Sequence, residues 1–317
     1  MKILVAGTGG VGGYFGARLV QAGHDVWFLA RGDNLQALRA GGLTVRSEHG
    51  DVALDRVQAV QSGTESGPAG AVLFCVKTYD NGSAADAISG AVSAQTAICS
   101  LQNGVENEDF LKGRFPGTTV LGGVTRIEAF LESPGVVVQR GALADLEVGP
   151  FRDADRPAAE ALTAAFEGTP VPARVADDII AALWTKLLII AGIGGVTAFC
   201  RCSIGQIKQD DRLRKLLQDT MEEVAAVAAA QGIGVPPNLP DMVMVGVTQA
   251  MDPAMKSSMC RDAELGRPLE VEAINGAVVR FGDEAAVPTP ANRTVLDALL
   301  PSHRAAMEAR ERAAAGD

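Results

Sequence analysis

The sequence predicts an α/β domain with a parallel sheet in its N-terminal half, followed by an all-α domain. Three observations carry this prediction. Short apolar runs alternate with helical patterns in the first half, starting with the strand-like run at residues 2–6. Long apolar helical patterns replace them in the second half. The Gly- and Pro-containing segment at residues 168–172 separates the two regimes, so we expect domains at residues 1–172 and 173–317.

The first sixteen residues, MKILVAGTGGVGGYFG, organise the first domain. An apolar strand leads into glycines at G-x-G-x-x-G spacing, and a helical pattern follows. Gly7 permits a sharp turn, Gly9 lets the backbone approach a pyrophosphate, and Gly12 lets the helix pack on the strand. The helix start offers free N–H groups to phosphates. With 36 glycines in the chain, a ligand-free turn is the alternative, but the flanking strand and helix favour dinucleotide binding by Gly7, Gly9, Gly10, Val11 and Gly12.

The end of the second predicted strand, residues 26–30, selects the dinucleotide. An Asp or Glu there binds the ribose 2′-hydroxyl of NAD, whereas an arginine accommodates the 2′-phosphate of NADP. The residue is Arg31, which favours NADP. Asp33 lies close enough in sequence to reach a ribose, and an arginine at a strand end can simply be solvated, so NAD remains an alternative.

Composition excludes several classes of function. The formal charge of −10 and the pI near 4.9 argue against general binding to nucleic acid, which needs clustered lysine and arginine. Five cysteines without a C-x-x-C pair, and only three histidines, argue against a metal site. Cys200 and Cys202 have no assigned role beyond packing. We find no apolar run of membrane-spanning length and no export signal, and we expect a cytoplasmic protein.

Polar residues at strand ends mark candidate site positions in the first half. Ligands of open α/β sheets lie beyond the carboxyl ends of the strands, which places Lys77 and Asn103 near the ligand. A solvated lysine and a simple Asn-Gly turn are the alternatives. The predicted strands are residues 43–46, 52–60, 71–77 and 97–101, with helices at 34–40, 81–92 and 158–166 and an antiparallel portion at 120–148.

The second half carries a lysine in an apolar helix. Helices are predicted at residues 176–191, 206–231, 241–251 and 270–282. Lys186 lies in LWTKLLII, and a buried lysine is costly unless it is paired. The alternative is that its ammonium group reaches solvent. Glu270 and Glu272 are the candidate counter-ions, and the crevice between the two domains is the expected substrate site.

Several segments of the chain resemble the ketopantoate reductase (2-dehydropantoate 2-reductase) family. These are GTGGVGGYFG, QNGVE, LWTKL, SSMCRD and GRPLEVEAINGAVVR, in the order of the family and over almost the whole length. The resemblance implies an α/β Rossmann-type N-terminal domain and an all-α C-terminal domain. It also implies NADPH-dependent reduction of 2-dehydropantoate to pantoate, on the route to pantothenate and coenzyme A.

The resemblance assigns roles to six residues. It implies a catalytic lysine that acts as general acid, a supporting glutamate, an active-site asparagine, a substrate-contacting serine, a crevice lysine that faces cofactor and substrate, and an NADP-selecting arginine. The matching positions are Lys186, Glu270, Asn103, Ser258, Lys77 and Arg31. Glu272 is not the match, and the asparagine is also expected to contact the nicotinamide.

Some positions depart from the family pattern. Many members carry asparagines four and eight residues after the lysine, where this chain has Ile190 and Gly194. On a regular α-helix both positions share a face with Lys186, so that face becomes apolar. Thr197 returns to nearly the same angle but lies about 16 Å further along the axis. Gln206 replaces a glutamate of the family pattern.

These departures leave the substrate open. One alternative is an NADP-dependent reductase of the same family that acts on a different 2-oxo acid or ketone. A weaker alternative is a non-catalytic NADPH-binding sensor. The sequence does not decide the oligomeric state, for which a homodimer is one option.

Overall fold

The computed structural model describes residues 1–315 of the chain. Contacts between Cα atoms divide the chain into two compact units. The first comprises Met1–Gln102 and Asn107–Ile180, and the second comprises Asn103–Glu106 and the residues from Ala181 onward. The short segment Asn103–Glu106 therefore belongs to the helical unit, although its neighbours in sequence belong to the first.

The first unit contains one mixed sheet of ten strands. Six of them run parallel, in an order that reverses once, which is the arrangement of a doubly wound dinucleotide-binding fold. This confirms the α/β Rossmann-type prediction. The strands are β1 (Lys2–Ala6), β2 (Asp25–Leu29), β3 (Leu43–Ser47), β4 (Val52–Leu54), β5 (Gln58–Val60), β6 (Ala71–Phe74), β7 (Ala97–Ser100), β8 (Thr119–Ser133), β9 (Val136–Pro150) and β10 (Ala173–Val175).

The parallel strands follow the order β8-β7-β6-β1-β2-β5. The order reverses between β1 and β6. Ligands of open α/β sheets bind outside the carboxyl ends of the strands at such a point. The residues that follow β1 and β6 are therefore the first place to look for a cofactor site.

Helices cover both faces of this sheet. Along β1, Ile3 and Val5 pack into one apolar cluster, and Leu4 and Ala6 pack into another on the opposite face. All four are fully buried, as expected for a central parallel strand. The helices of the unit are α1 (Gly10–Gln21), α2 (Gly32–Gly41), α3 (Gly63–Ser66), α4 (Asn81–Ile88), α5 (Asn107–Arg114) and α6 (Arg156–Ala164).

Strands β8 and β9 form a long antiparallel hairpin, which confirms the antiparallel portion predicted at residues 120–148. Gly135 in its turn has a φ of 76° and donates its N–H to Asn34 Oδ1 at 2.8 Å. Asn34 Nδ2 donates in turn to the Thr8 carbonyl oxygen at 2.8 Å. One side chain thus ties the hairpin to the glycine-rich turn.

Two strand predictions in the first unit are wrong in extent. The run predicted at residues 52–60 is two strands, because β4 pairs with β3 and β5 pairs with β2. The strand predicted at residues 71–77 ends at Phe74. Cys75, Val76 and Lys77 consequently lie in the loop after β6, at the carboxyl end of that strand.

Every regular element in the described part of the second unit is helical, which confirms the all-α prediction. Two helices pass into π-helical turns, at Ile190–Gly194 and Gly246–Ala250. The α-helices are α7 (Ile179–Ile189), α8 (Gly195–Cys200), α9 (Ile204–Gln209), α10 (Asp211–Ala230), α11 (Leu239–Val245), α12 (Ser258–Glu264), α13 (Asn275–Glu284) and α14 (Pro290–Ala315).

The core of the second unit is built around the helical stretch Ile179–Cys200. Leu188 and Val196 of this stretch are fully buried against Met221, Val278 and Val295 of three other helices. By length and composition alone this stretch could cross a membrane, but most of it is buried inside the protein. The sequence expectation that no apolar stretch reaches membrane-spanning length was therefore wrong. A buried core helix can have the length and composition of a membrane-spanning helix.

Two helix predictions in the second unit are also wrong in extent. The helix predicted at residues 206–231 breaks at Asp210, whose carboxylate accepts the N–H groups of Arg212 and Leu213 and so caps α10. The helix predicted at residues 270–282 begins only at Asn275. Glu270 therefore lies in an irregular segment before α13.

Candidate active site

The glycine-rich turn connects β1 to α1. Gly7 adopts φ 97°, and a Cβ there would lie 2.9 Å from the Val76 nitrogen. A Cβ on Gly12 would lie 2.2 Å from the Gly7 carbonyl oxygen, and one on Gly10 would lie 2.3 Å from the Ala129 carbonyl oxygen. These contacts with backbone atoms leave no room for any side chain. The turn is therefore packed tightly on three sides by its own unit.

Gly9 differs from its neighbours in the turn. It is the N-cap residue of α1 and has no side chain with which to cap the helix. Among the described residues, no atom comes within 4 Å of the position a Cβ would take. The first-turn N–H groups of a helix have no intrahelical acceptors and attract anions. The turn is therefore open at Gly9, beside N–H groups of the kind that hold the phosphates of a dinucleotide.

Arg31 is the N-cap residue of α2, two positions after β2 ends at Leu29. Its guanidinium group donates to the Asp80 carboxylate at 2.7 Å, and its side chain is 61% exposed. An exposed guanidinium can rotate toward a phosphate, for which it has matching bidentate geometry. Asp80 holds the arginine at the cofactor end of the sheet and would compete with a 2′-phosphate for it.

Gln102 organises the loop ends beside the glycine-rich turn, and the sequence did not single it out. Its buried Nε2 donates to the Val76 carbonyl oxygen at 2.7 Å and to Asn81 Oδ1 at 2.6 Å. It thereby joins the loop after β6 to the end of β7. Lys77 follows Val76 and starts a short 3₁₀ turn, Thr78–Asp80. The signal in the sequence was the amide side chain at a predicted strand end, next to Asn103.

Cys75 also lies beside the glycine-rich turn. Burial raises the pKa of its thiol far above the ordinary value. A thiol that stays protonated is a poor nucleophile, so covalent catalysis by Cys75 is not supported. Among residues 1–315, no group of three or more histidine, cysteine or acidic side chains is placed to hold a metal ion.

In the second unit the structure brings two of the predicted site residues together. Asn103 Nδ2 donates to Glu270 Oε2 at 3.3 Å. Glu270 is only 6% exposed, so its carboxylate is largely removed from water. A buried carboxylate needs polar partners, and the Asn103 amide is one of them.

Glu272 has a different environment from Glu270. Its side chain is 56% exposed, and its carboxylate lies 3.5 Å from His303 Nε2. His303 Nδ1 accepts the N–H of Leu269 at 3.0 Å, which fixes the segment immediately before Glu270. Burial lowers the pKa of His303, although the nearby Glu272 carboxylate acts in the opposite direction. The lowered pKa favours the neutral ring, which the hydrogen bond from the Leu269 N–H to Nδ1 requires.

Lys186 lies in the last turn of α7. It is half-buried, between the buried pairs Leu183–Trp184 and Leu187–Leu188. The helix therefore presents Lys186 on the edge of its buried face, neither deep in the core nor in open solvent.

The π-helical turn Ile190–Gly194, called here the wide turn, follows Lys186 directly. Because of it, the regular 100° rotation per residue that the sequence interpretation assumed for Ile190 and Gly194 does not hold. A Cβ on Gly194 would lie 3.7 Å from Met259 Cε, an ordinary contact. The surroundings of the two positions are nevertheless apolar, as expected.

The serines at the start of α12 have separate tasks. Ser257 Oγ caps α12 by accepting the N–H of Cys260 at 3.0 Å, and it lies 2.7 Å from Thr197 Oγ1. Ser258, the next residue, is exposed in the first turn. Thr197 is fully buried and donates to the Ile193 carbonyl oxygen at 2.6 Å, so its hydroxyl is not available to replace a missing asparagine.

Comparison with known proteins decides the family. The profile described as "Ketopantoate reductase PanE/ApbA" matches residues 3–153, and its C-terminal counterpart matches residues 178–301. The chain belongs to the ketopantoate reductase family. It is accordingly an NAD(P)-dependent oxidoreductase of the kind that acts on CH–OH groups.

Relatives of this ketopantoate reductase family member span nearly its whole length. It is 31% identical to a 2-dehydropantoate 2-reductase of Caulobacter vibrioides, over 93% of this chain and 97% of the relative. It is 30% identical to the uncharacterized oxidoreductase YkpB of Bacillus subtilis, over 93% and 96%. The crystal structure of a 2-dehydropantoate 2-reductase from Geobacter metallireducens is 32% identical and matches with a TM-score of 0.88, over 95% and 100%.

A D-mandelate dehydrogenase solved with NADH and anilino(oxo)acetate shares the fold of this ketopantoate reductase family member. Its TM-score is 0.88 at 22% identity, over 96% of this chain and 99% of that one. Together with the family, this neighbour indicates a nicotinamide cofactor. The shared fold therefore does not identify the substrate of this chain.

Proposed function

We propose that the protein reduces 2-dehydropantoate to pantoate with NADPH. The observation that carries this proposal is the hydrogen bond between Asn103 and the buried carboxylate of Glu270, in the same unit as the half-buried Lys186. A lysine, a buried carboxylate and a carboxamide form a set suited to holding and protonating a carbonyl oxygen. In this proposal the N-terminal domain, which the sequence predicts at residues 1–172, binds the cofactor. The helical unit supplies the catalytic side chains.

Lys186 is proposed as the general acid. NADPH, when bound, supplies the hydride that the keto carbon accepts. The keto oxygen then becomes an alkoxide, and the Lys186 ammonium group stabilises this developing charge and donates a proton to it. The product is the 2-hydroxy acid, and the neutral amine left on Lys186 regains its proton from water.

Glu270 and Asn103 are proposed to prepare this acid. Burial lowers the pKa of a lysine, whereas a nearby carboxylate raises it, so Glu270 keeps Lys186 protonated. Asn103 orients the Glu270 carboxylate through its Nδ2 and offers its amide to the carbonyl or the nicotinamide. Ser258, exposed at the start of α12, is proposed to bind the hydroxyl or carboxylate end of the substrate.

NADPH is proposed over NADH because of the residues at the end of β2. Arg31 provides an exposed guanidinium group where a 2′-phosphate is expected. Lys77, in the loop after β6, is proposed as a second cation beside the cofactor and the carboxylate of the substrate. Gly7, Gly9, Gly10, Val11 and Gly12 are proposed to bind the pyrophosphate.

A second candidate substrate class is favoured by the wide turn. Ile190 is half-buried and, together with the buried Gly194 and Met259, leaves this part of the helix apolar where many family members carry asparagines. A 2-oxo acid with an apolar side chain would lose less on desolvation there than 2-dehydropantoate would. The catalytic roles are the same in both cases.

A steady-state assay of NADPH oxidation separates the two candidates. The wild-type enzyme is tested with 2-dehydropantoate and with 2-oxo acids that carry branched aliphatic or aryl side chains. We expect 2-dehydropantoate to give the highest kcat/KM, on the order of 10⁴ M⁻¹s⁻¹ or above. A higher kcat/KM for an apolar oxo acid supports the second candidate, and no turnover of any oxo acid contradicts both.

A further inference from the structure

The helix that carries Lys186 changes its hydrogen-bond pattern four residues later, at the wide turn Ile190–Gly194. A π-helical turn is less stable than the α-helix around it and persists only where neighbouring groups favour it. One such group is the side-chain amide of Asn275. Asn275 Nδ2, from the first residue of α13, donates to the Ala191 carbonyl oxygen inside the turn at 3.1 Å. A side chain that enters the helical ladder in this way is a recognised cause of local distortion.

The Asn275 side chain is held rigidly. Its Nδ2 also donates to Asn292 Oδ1 at 3.0 Å. Asn292 Nδ2 donates to the Glu223 carboxylate at 2.8 Å, and that carboxylate accepts the N–H groups of Ala291 and Asn292 as well. Since Nδ2 faces two acceptors, the orientation of the Asn275 amide is fixed. A chain of hydrogen bonds therefore runs from α10 through α14 and α13 into the wide turn.

The turn has glycines where it meets its neighbours. A Cβ on Gly195, directly after the turn, would lie 2.8 Å from both Nδ2 and Oδ1 of Asn275. A Cβ on Gly192 would lie 2.5 Å from Met221 Cγ. The backbone is thus pressed between the Asn275 amide on one side and α10 on the other, and only glycine fits at either point.

The arrangement has a cost that packing alone does not explain. Asn275 is fully buried, and within residues 1–315 its Oδ1 has no hydrogen-bond partner. An unsatisfied buried acceptor destabilises the fold, and an apolar residue of similar size would avoid it. The role of the Asn275 amide therefore lies in its Nδ2–H donor, which bonds to the Ala191 carbonyl oxygen.

We propose that Asn275 is a positioning residue for the reaction: it holds the wide turn in place and so fixes the depth and direction of Lys186 and of the Ile190 and Gly194 positions. This inference rests on the proposed role of Lys186. Asn275 does not touch the reacting atoms in this account. It acts through the wide turn, where the absence of a side chain at Gly195 leaves room for the Asn275 amide.

The test combines Asn275→Ala, Gly195→Ala and the double variant. Asn275→Ala removes the donor, and we expect kcat/KM for the oxo acid to fall about tenfold or more. Gly195→Ala displaces the amide and should cost a similar factor in the wild-type background. In the Asn275→Ala background the colliding atoms are gone, so the added methyl group should cost less than about threefold. Additive losses would overturn the assigned contact.

A second readout does not depend on activity. Amide hydrogen exchange over residues 190–196, measured by mass spectrometry, should become faster in Asn275→Ala. Val278→Ala, on the same helix and fully buried in the same core, is the matched control. It should lower the Tm without changing exchange in the turn or kcat/KM. If Asn275→Ala behaves like Val278→Ala in both measurements, the positioning role is wrong.

The exchange measurement also separates this inference from the proposed function. Faster exchange in the turn, in an enzyme that reduces no oxo acid even as wild type, would contradict the proposed function and retain the structural role of Asn275. Unchanged exchange with normal wild-type turnover would contradict the inference alone.

Discussion

The side-chain amide of Asn103 donates to the carboxylate of Glu270 at 3.3 Å, across 167 positions of the sequence. Asn103 follows the last parallel strand before α5, yet it belongs to the helical unit that contains Glu270. Of the two glutamates in LEVEA, Glu270 is buried and Glu272 is exposed. The bond makes the electrostatics of Glu270 depend on a residue from the other half of the chain.

Glu270→Gln should lower kcat about 10- to 100-fold, because the amide no longer favours the protonated form of Lys186. The size of the side chain and an acceptor for Asn103 are both retained. Glu272→Gln is the matched control, since that carboxylate lies two residues away and is 56% exposed. It should leave kcat within about twofold of wild type. Equal losses in both variants would mean that the burial of Glu270 has no catalytic meaning.

Arg31→Ala should weaken NADPH binding about tenfold or more and leave NADH binding nearly unchanged, because only NADPH carries the 2′-phosphate. Fluorescence titration of both cofactors measures the two Kd values. Arg39→Ala removes another exposed arginine of α2, paired with Glu65, and should change neither. If Arg31→Ala weakened the binding of NADPH and NADH equally, the arginine would not be recognising the 2′-phosphate.

Alanine substitutions at two glycines of the glycine-rich turn should have different effects, one on cofactor binding and the other on stability. Gly9→Ala adds a methyl group where no described atom lies within 4 Å, so the Tm should hold while NADPH binding is lost. Gly12→Ala places a methyl group 2.2 Å from the Gly7 carbonyl oxygen and should lower the Tm. Thermal unfolding with and without NADPH checks both. A Gly9→Ala protein with normal NADPH affinity would place the pyrophosphate elsewhere.

His303 should make stability depend on pH. Its pKa is lowered in the folded protein by burial, with Glu272 opposing and Arg304 assisting the shift. The unfolded state, with a pKa of about 6.5, therefore binds more protons, and the free energy of unfolding falls as the pH drops below that value. Urea unfolding at pH 7.5 and 5.5 measures the difference. His303→Gln should reduce the difference, and an unchanged difference would contradict this role of His303.

The glycine-rich turn could be predicted because its determinants are local. A strand, a turn and a helix within residues 1–21 bury their own apolar side chains, so G-x-G-x-x-G spacing after an apolar run was sufficient. The position of Arg31 near the end of the adjoining strand could be predicted for the same reason. The ends of strands were less certain. Nothing in the run 71–77 shows that pairing with β1 and β7 stops at Phe74.

The helical unit was harder to predict because its determinants are distant in sequence. The wide turn depends on an amide from α13 and on glycines that α10 and α13 require, so a regular helix was expected through Ile190. Glu270 was expected at a helix start, but Leu269 is held by His303 of α14 and the helix begins later. Helix α12 was not predicted from the periodicity, although Ser257 is a typical helix-start residue.

The most direct test is the kcat of Lys186→Met with 2-dehydropantoate under saturating NADPH. The account predicts a loss on the order of 10²-fold or more, with the Kd for NADPH unchanged, because Lys186 acts on the alkoxide and not on the cofactor. Lys208→Met, which removes a half-buried lysine that donates to the Met251 carbonyl oxygen in the same unit, should keep normal kcat. A Lys186→Met enzyme with kcat within about threefold of wild type would contradict the account.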